Sequence, residues 1–227
     1  PFGTYFRPRG ALPVLGSFTV EPRPGRTGQV LRTVRRVRGA WVNAIGLRNP
    51  GVSSLTYRSG VVYSLAGIED GDWERLHEVL IGYNWIENLI ELNLSCPNVA
   101  EYGHPRRATL ESFARLPGGV ISAKLPPNLR EALALTELCL SAGIRRIHLS
   151  NTLPSPLGGI SGWPLREVNL PLVAAVARAH PRARIIAGGG IRTTQDWRDY
   201  RNAGARDASL GTVFFNPVRG WQLYRRL

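Results

Sequence analysis

The chain contains no methionine and a single lysine, Lys124, so 28 of its 29 Lys and Arg residues are arginine. It has two cysteines, Cys96 and Cys139, too few for a disulfide framework or a cysteine-rich metal site. No apolar run approaches the roughly 18 residues that a membrane-crossing helix requires, and no charged, apolar, small-residue leader opens the sequence. These absences predict a protein with no membrane insertion in a reducing cytoplasm. Disorder is excluded by composition, 43% hydrophobic against 20% charged. Acidic residues are also scarce, 16 in number, which leaves a net charge of +13. The arginines fall in short groups, Arg32, Arg35, Arg36 and Arg38, then Arg106-Arg107, Arg145-Arg146 and Arg225-Arg226, with no aromatic platform between them. A solvated basic surface is therefore expected ahead of a nucleic-acid interface, which would combine such charge with stacking side chains.

A chain of 227 residues can bury one large core, and a single domain over residues 1–227 is expected. Apolar runs of strand length recur at Leu12–Phe18, Val61–Leu65, Ile90–Leu94, Val120–Leu125, Ile144–Leu149, Arg184–Ala187 and Ala208–Phe214. Helical patterns lie between them, at Trp73–Leu80, Leu110–Leu116, Leu129–Ala142, Leu170–Ala179 and Thr194–Ala203. Nearly continuous apolar strands alternating with helices imply a parallel sheet covered on both faces. The predicted fold is α/β, a (β/α)8 TIM barrel whose first βα unit is shortened or missing, because residues 1–10 are too few and too rich in Pro, Gly and Arg. Residues 30–44 alternate Val or Leu with Arg around Gly39 and predict a β-hairpin insertion.

Barrel enzymes carry their chemistry where strands run into the following loops. Here those ends are polar: Asn93 followed by Ser95-Cys96-Pro97-Asn98, Lys124 within its strand, and Ser150-Asn151-Thr152. One such end is ordinary turn chemistry; three in succession point to a site. Glycine supplies a second signal. Gly188-Gly189-Gly190 leads from a strand into a helix, Gly211-Thr212 follows the next strand, and Gly158-Gly159-Ile160-Ser161-Gly162 adds a third flexible segment. Glycines there let backbone N–H groups approach an anion, and the loops after the last barrel strands often hold phosphate.

Several ordered stretches resemble the dihydroorotate dehydrogenases: ELNLSCPN (91–98), AKLPP (123–127), SNTLPSPLGGISG (150–162), AGGGI (187–191) and AGARDASLGT (203–212), with NAIGL (43–47) and LGSFTVEPRPG (15–25) matching more loosely. The resemblance implies an FMN-dependent barrel of the soluble, cysteine-type class that oxidises dihydroorotate to orotate in pyrimidine biosynthesis. It implies Cys96 as the base that removes the C5 proton while hydride passes from C6 to flavin N5. Asn43, Gly46, Leu47, Asn93, Asn98, Asn151 and Thr152 resemble the substrate set. Ser17, Asn93, Lys124, Ser150, Gly162, Gly189, Gly190, Gly211 and Thr212 resemble the flavin contacts. No metal site is expected.

The sequence departs from the family at its reduced first strand, at Gly16, where cysteine-type members place a second lysine, and at Arg26-Thr27-Gly28-Gln29-Val30. The reduced first strand and missing second lysine give a second reading, a degenerate, non-catalytic barrel; the cysteine of the N-x-x-C-P turn and the positive charge give a third, a flavoenzyme like the transfer-RNA dihydrouridine synthases. Fumarate, oxygen, quinone, or an iron–sulfur and flavin subunit delivering electrons to a nicotinamide are each compatible as acceptors, as is a homodimer. Cys139 and His148 lie within apolar elements and are expected to be structural.

Overall fold

A computed structural model describes residues 10–25, 32–37, 39–56, 58–82, 89–95, 105–116 and 120–227. Its strands are β1 Val14–Phe18, β2 Val34–Val37, β3 Ala40–Asn43, β4 Val62–Leu65, β5 Leu89–Asn93, β6 Val120–Leu125, β7 Arg146–Leu149, β8 Gly159–Gly162, β9 Arg184–Gly188 and β10 Asp207–Ser209. Its helices are α1 Asp72–Gly82, α2 Arg107–Ala114, α3 Leu129–Ser141, α4 Trp163–Ala179, α5 Thr194–Asn202 and α6 Pro217–Tyr224. Among the described residues, seven strands form one parallel sheet in the order β1-β4-β5-β6-β7-β9-β10, the curled sheet of an incomplete barrel. The expected hairpin is present as β2 and β3, and β8 pairs antiparallel with β3 to make a second, three-stranded sheet.

The parallel strands sort their side chains by period two. One parity is apolar: Leu65, Ile90, Leu92, Ile121, Ala123, Leu125, Ile147, Leu149, Ile185 and Ala187 are all buried. These pack with Leu76, Leu80, Leu110, Phe113, Leu135, Cys139, Val173 and Val176 from the helices, so the main core lies between sheet and helices. The other parity carries most of the polar residues. Ser64, Glu91 and Ser122 are register partners across β4, β5 and β6, and Asn93, Lys124 and His148 across β5, β6 and β7. Buried polar groups on the concave face are costly unless they find partners, so this row favours a mutually hydrogen-bonded arrangement.

Two expected elements differ. The helix expected from Leu170 begins at Trp163, with Pro164 in its first turn, and runs past Pro171. Pro171 is exposed, so the carbonyl it leaves without an N–H faces water and the helix continues. The run Ala208–Phe214 is not one strand: β10 ends at Ser209, and Thr212–Phe215 forms a 3-10 turn after Gly211. Helix α6, at the C-terminal end, has no counterpart among the helical patterns of the sequence. Among the described residues no helix is long and apolar enough to cross a membrane.

Candidate active site

The polar residues at the strand ends form a connected cluster. Asn93, last in β5, donates from Nδ2 to Ser17 Oγ of β1 at 2.8 Å. Its Oδ1 accepts from Asn151 Nδ2 at 3.0 Å. Asn151 also donates to the carbonyl of Ser95, and its Oδ1 accepts from the N–H of Thr152 at 3.0 Å. Ser150, beside Asn151, is held by Asn169 of α4: its hydroxyl donates to Asn169 Oδ1 at 2.6 Å, and Asn169 Nδ2 donates to the Gly188 carbonyl at 2.6 Å. A fully buried asparagine in an otherwise apolar helix stretch thus ties the end of β7 to the end of β9.

Asn43, last in β3, donates to the Gly159 carbonyl at 3.4 Å. Gly46 and Leu47 lie on the loop beyond it, Leu47 with φ +57. That loop is clamped by Asn49, which donates to the Leu47 carbonyl at 2.7 Å and to Thr19 Oγ1 at 2.9 Å, and accepts from Gly51 N–H at 2.8 Å. Asn49 and Asn169 escape sequence reasoning because each ties together residues remote in the chain; the turn signature Asn49-Pro50-Gly51 is the one local hint. Cys96 and Asn98 lie outside the described residues.

A second grouping is built from glycine. A Cβ at Gly190 (φ +75) would lie 2.7 Å from Arg166 Cβ and 3.2 Å from the Gly162 carbonyl. One at Gly162 (φ +92) would lie 3.6 Å from Thr212 Oγ1, so Gly162, Gly190 and Thr212 converge. Gly189 (φ +89) packs on Leu165, and its carbonyl accepts from Tyr200 Oη at 2.8 Å. Gly162 precedes the first residue of α4 and offers no side-chain cap, and Gly211 precedes the 3-10 turn likewise. The neighbouring α5, by contrast, is closed by a Thr193–Asp196 capping box. A helix start with no side-chain cap, near the exposed backbone of Gly211, suits a phosphate. With Ser17 of β1, Asn93 of β5 and Lys124 of β6 towards the same end of the sheet, this donor set fits a flavin mononucleotide: backbone N–H groups for the phosphate, amides and an ammonium for the ring.

Beneath these groups Glu91 is buried, with 4% of its surface exposed. Its Oε2 accepts from His148 Nδ1 at 2.7 Å and its Oε1 from Ser64 Oγ at 3.0 Å. Burial pushes its carboxyl up, but His148, Lys124 and Ser64 together outweigh that and hold it down at about 2. A carboxyl lowered in the folded state stabilises the fold above its unfolded value of 4.5 and ceases to do so as pH falls towards 2. Between those values the native chain is expected to lose about 3 kcal/mol more stability than Glu91→Gln. Urea melts of both proteins across this range check it, and parallel curves would refute it.

A family model described as dihydroorotate dehydrogenase matches residues 9–220. The chain belongs to the dihydroorotate dehydrogenase family. It is accordingly an oxidoreductase of the dihydroorotate-oxidising kind. It is 30% identical over 225 residues to "Dihydroorotate dehydrogenase B (NAD(+)), catalytic subunit" of Alkaliphilus oremlandii, covering 84% of this chain and 72% of that one. The protein of the same name from Listeria innocua is 27% identical over 229 residues, covering 86% and 73%. The ligand-free dihydroorotate dehydrogenase of Eimeria tenella superposes with a TM-score of 0.73 at 20% identity, covering 94% of this chain and 74% of that one. The incomplete barrel read from the sequence is thus a dihydroorotate dehydrogenase fold.

Proposed function

We propose that this site binds FMN and oxidises dihydroorotate to orotate, with Cys96 removing the C5 proton. The observation that carries the reading is the Ser17–Asn93–Asn151 cluster at the strand ends, tied through Ser150 and Asn169 to Gly188 at the head of the glycine segment. A dihydropyrimidine ring alternates N–H donors with carbonyl acceptors, and each asparagine amide offers one of each. Asn43, Asn93, Asn98 and Asn151 are therefore assigned to the ring, with Thr152 and the backbone of Gly46 and Leu47 at its edge. Ser17, Lys124, Ser150, Gly162, Gly189, Gly190, Gly211 and Thr212 hold the flavin. Bound FMN supplies the hydride acceptor. The protein's own part is to orient the ring, take the C5 proton on Cys96 Sγ, and offer a fixed positive charge at Lys124.

Purified protein reconstituted with FMN is expected to lose its yellow colour when dihydroorotate is added without oxygen. A flavin spectrum that no dihydropyrimidine reduces would refute the substrate assignment. Because the curated relatives are named catalytic subunits, we assign onward electron transfer to a second subunit; rapid reoxidation by NAD+ of this chain alone would count against that.

Lys124 is the one position where the chain departs from its use of arginine, and it is half-buried on β6 beside Asn93. Arginine presents a broad planar fork where lysine presents a compact charge on a thin stem. Lys124→Arg is expected to melt like the native protein while binding FMN about tenfold more weakly. Fluorescence titration of FMN into apoprotein measures this, and unchanged affinity would show that the lysine has no such role.

A further inference from the structure

The hydrogen bonds on the concave face are continuous from Glu91 to the proposed substrate amides, and their direction can be worked out proton by proton. An ionised carboxylate has no proton and only accepts. Ser64 must therefore spend its single hydroxyl proton on Glu91 Oε1, and His148 Nδ1 must carry a proton to donate to Oε2. With that proton committed, the 2.8 Å contact between Ser64 and Ser17 requires Ser17 to donate and Ser64 to accept. Ser17 in turn has no proton left for Asn93, so the contact at 2.8 Å must come from the Asn93 NH2 group. That turns Asn93 Oδ1 towards Asn151, which meets it with its own NH2 at 3.0 Å.

Asparagine amides are nearly symmetric in shape, and which end is nitrogen follows from the network around them. Here the network begins at a charge, so its sense has one solution. Reversing it would leave a buried carboxylate facing an oxygen that has no proton to give, which costs more than a neutral hydrogen bond returns.

We infer that Glu91, acting through Ser64 and Ser17, is a positioning residue that fixes which way round the side-chain amides of Asn93 and Asn151 sit, and so which edge of each is presented to the substrate ring. His148 belongs to the same device, since it holds the carboxylate's other oxygen. The inference rests on the reading of Asn93 and Asn151 as substrate contacts for its functional half, but its structural half does not. Ser64 is the informative position: it is a link in the chain without being assigned to either ligand.

The test uses 15N-labelled protein. In Ser64→Ala and in Glu91→Gln the side-chain NH2 resonances of Asn93 and Asn151 are expected to shift together. In Ser122→Ala, the same change at a register partner of Glu91 lying off the chain, they stay in place. With FMN bound, the dissociation constant for orotate, read from flavin absorbance, is expected to rise about tenfold in either chain variant, the worth of one hydrogen bond. The double variant should be no weaker than the weaker single. Amide resonances unmoved by Ser64→Ala, or losses that simply add in the double variant, would overturn the positioning role. If the amides respond while native protein binds no orotate, the substrate reading falls and the positioning of the amides stands.

Discussion

Cys96→Ala is expected to leave FMN bound and to slow dihydroorotate oxidation by about a hundredfold to ten-thousandfold, the usual contribution of a positioned proton acceptor. Cys96 itself lies outside the described residues, but the residue before it does not. The Ser95 carbonyl accepts from Asn151 Nδ2, which ties the residue before Cys96 to the Asn93–Asn151 cluster. Ser95 Oγ is buried, with no hydrogen-bond partner among the described residues. The thiolate and not the thiol takes up a proton, so the native rate should climb with pH until Cys96 is ionised. Cys96→Ser, with a far less acidic hydroxyl, should lack that rise. The second cysteine provides the control. Cys139 is fully buried in α3 and burial pushes its thiol up to about 12, so Cys139→Ala should leave the rate and its pH profile as they were. Initial rates against pH for the four proteins, with orotate affinity measured alongside, decide the matter; an undiminished rate in Cys96→Ala removes the residue from the mechanism.

Gly158→Ala is expected to damage both fold and site. A Cβ at this position would lie 2.2 Å from the Asn43 carbonyl oxygen and 2.7 Å from its carbon, both backbone atoms with nowhere to rotate. The residue also sits at φ +116, in territory that side chains avoid. Strain and overlap together should cost about 3 kcal/mol, a fall of about 10 °C in Tm for a chain of this size. Whatever movement relieves the clash must shift Asn43, so KM for dihydroorotate should rise about tenfold or more. Gly39 separates conformational strain from crowding: it has φ +83, but a Cβ there would meet nothing within 4 Å. Gly39→Ala should therefore cost only about 1 kcal/mol and leave KM alone. Thermal melts and steady-state kinetics of the pair test this, and equal losses in both would show that the contact with Asn43 does not matter.

Both predictions depend on neighbours that are far apart in sequence, and such neighbours are what a local pattern cannot reveal. The alternation of short apolar strands with helices suffices for the incomplete α/β barrel, because burial on both faces leaves a nearly continuous apolar run. The hairpin is legible from its Val and Arg alternation around Gly39, and the glycine segments from their composition alone. The ordered motifs suffice for the family. What local patterns obscure is the extent of two elements near special residues: an exposed Pro171 does not end a helix, and the strand stops short of Gly211.

The site divides in the same way. Asn93, Lys124 and Ser150-Asn151-Thr152 stand out as polar groups at apolar strand ends, so the concentration of chemistry there is legible without a structure. Ser64, Glu91 and His148 give no such sign, since one polar residue inside a strand reads the same whether it faces solvent or another strand. Only the curl of the sheet and its register bring His148 of β7 to Glu91 of β5, and Ser64 of β4 to Ser17 of β1. Sequence determines the parity of each strand; which polar groups meet across strands, and therefore which way their protons point, is decided when the strands pair.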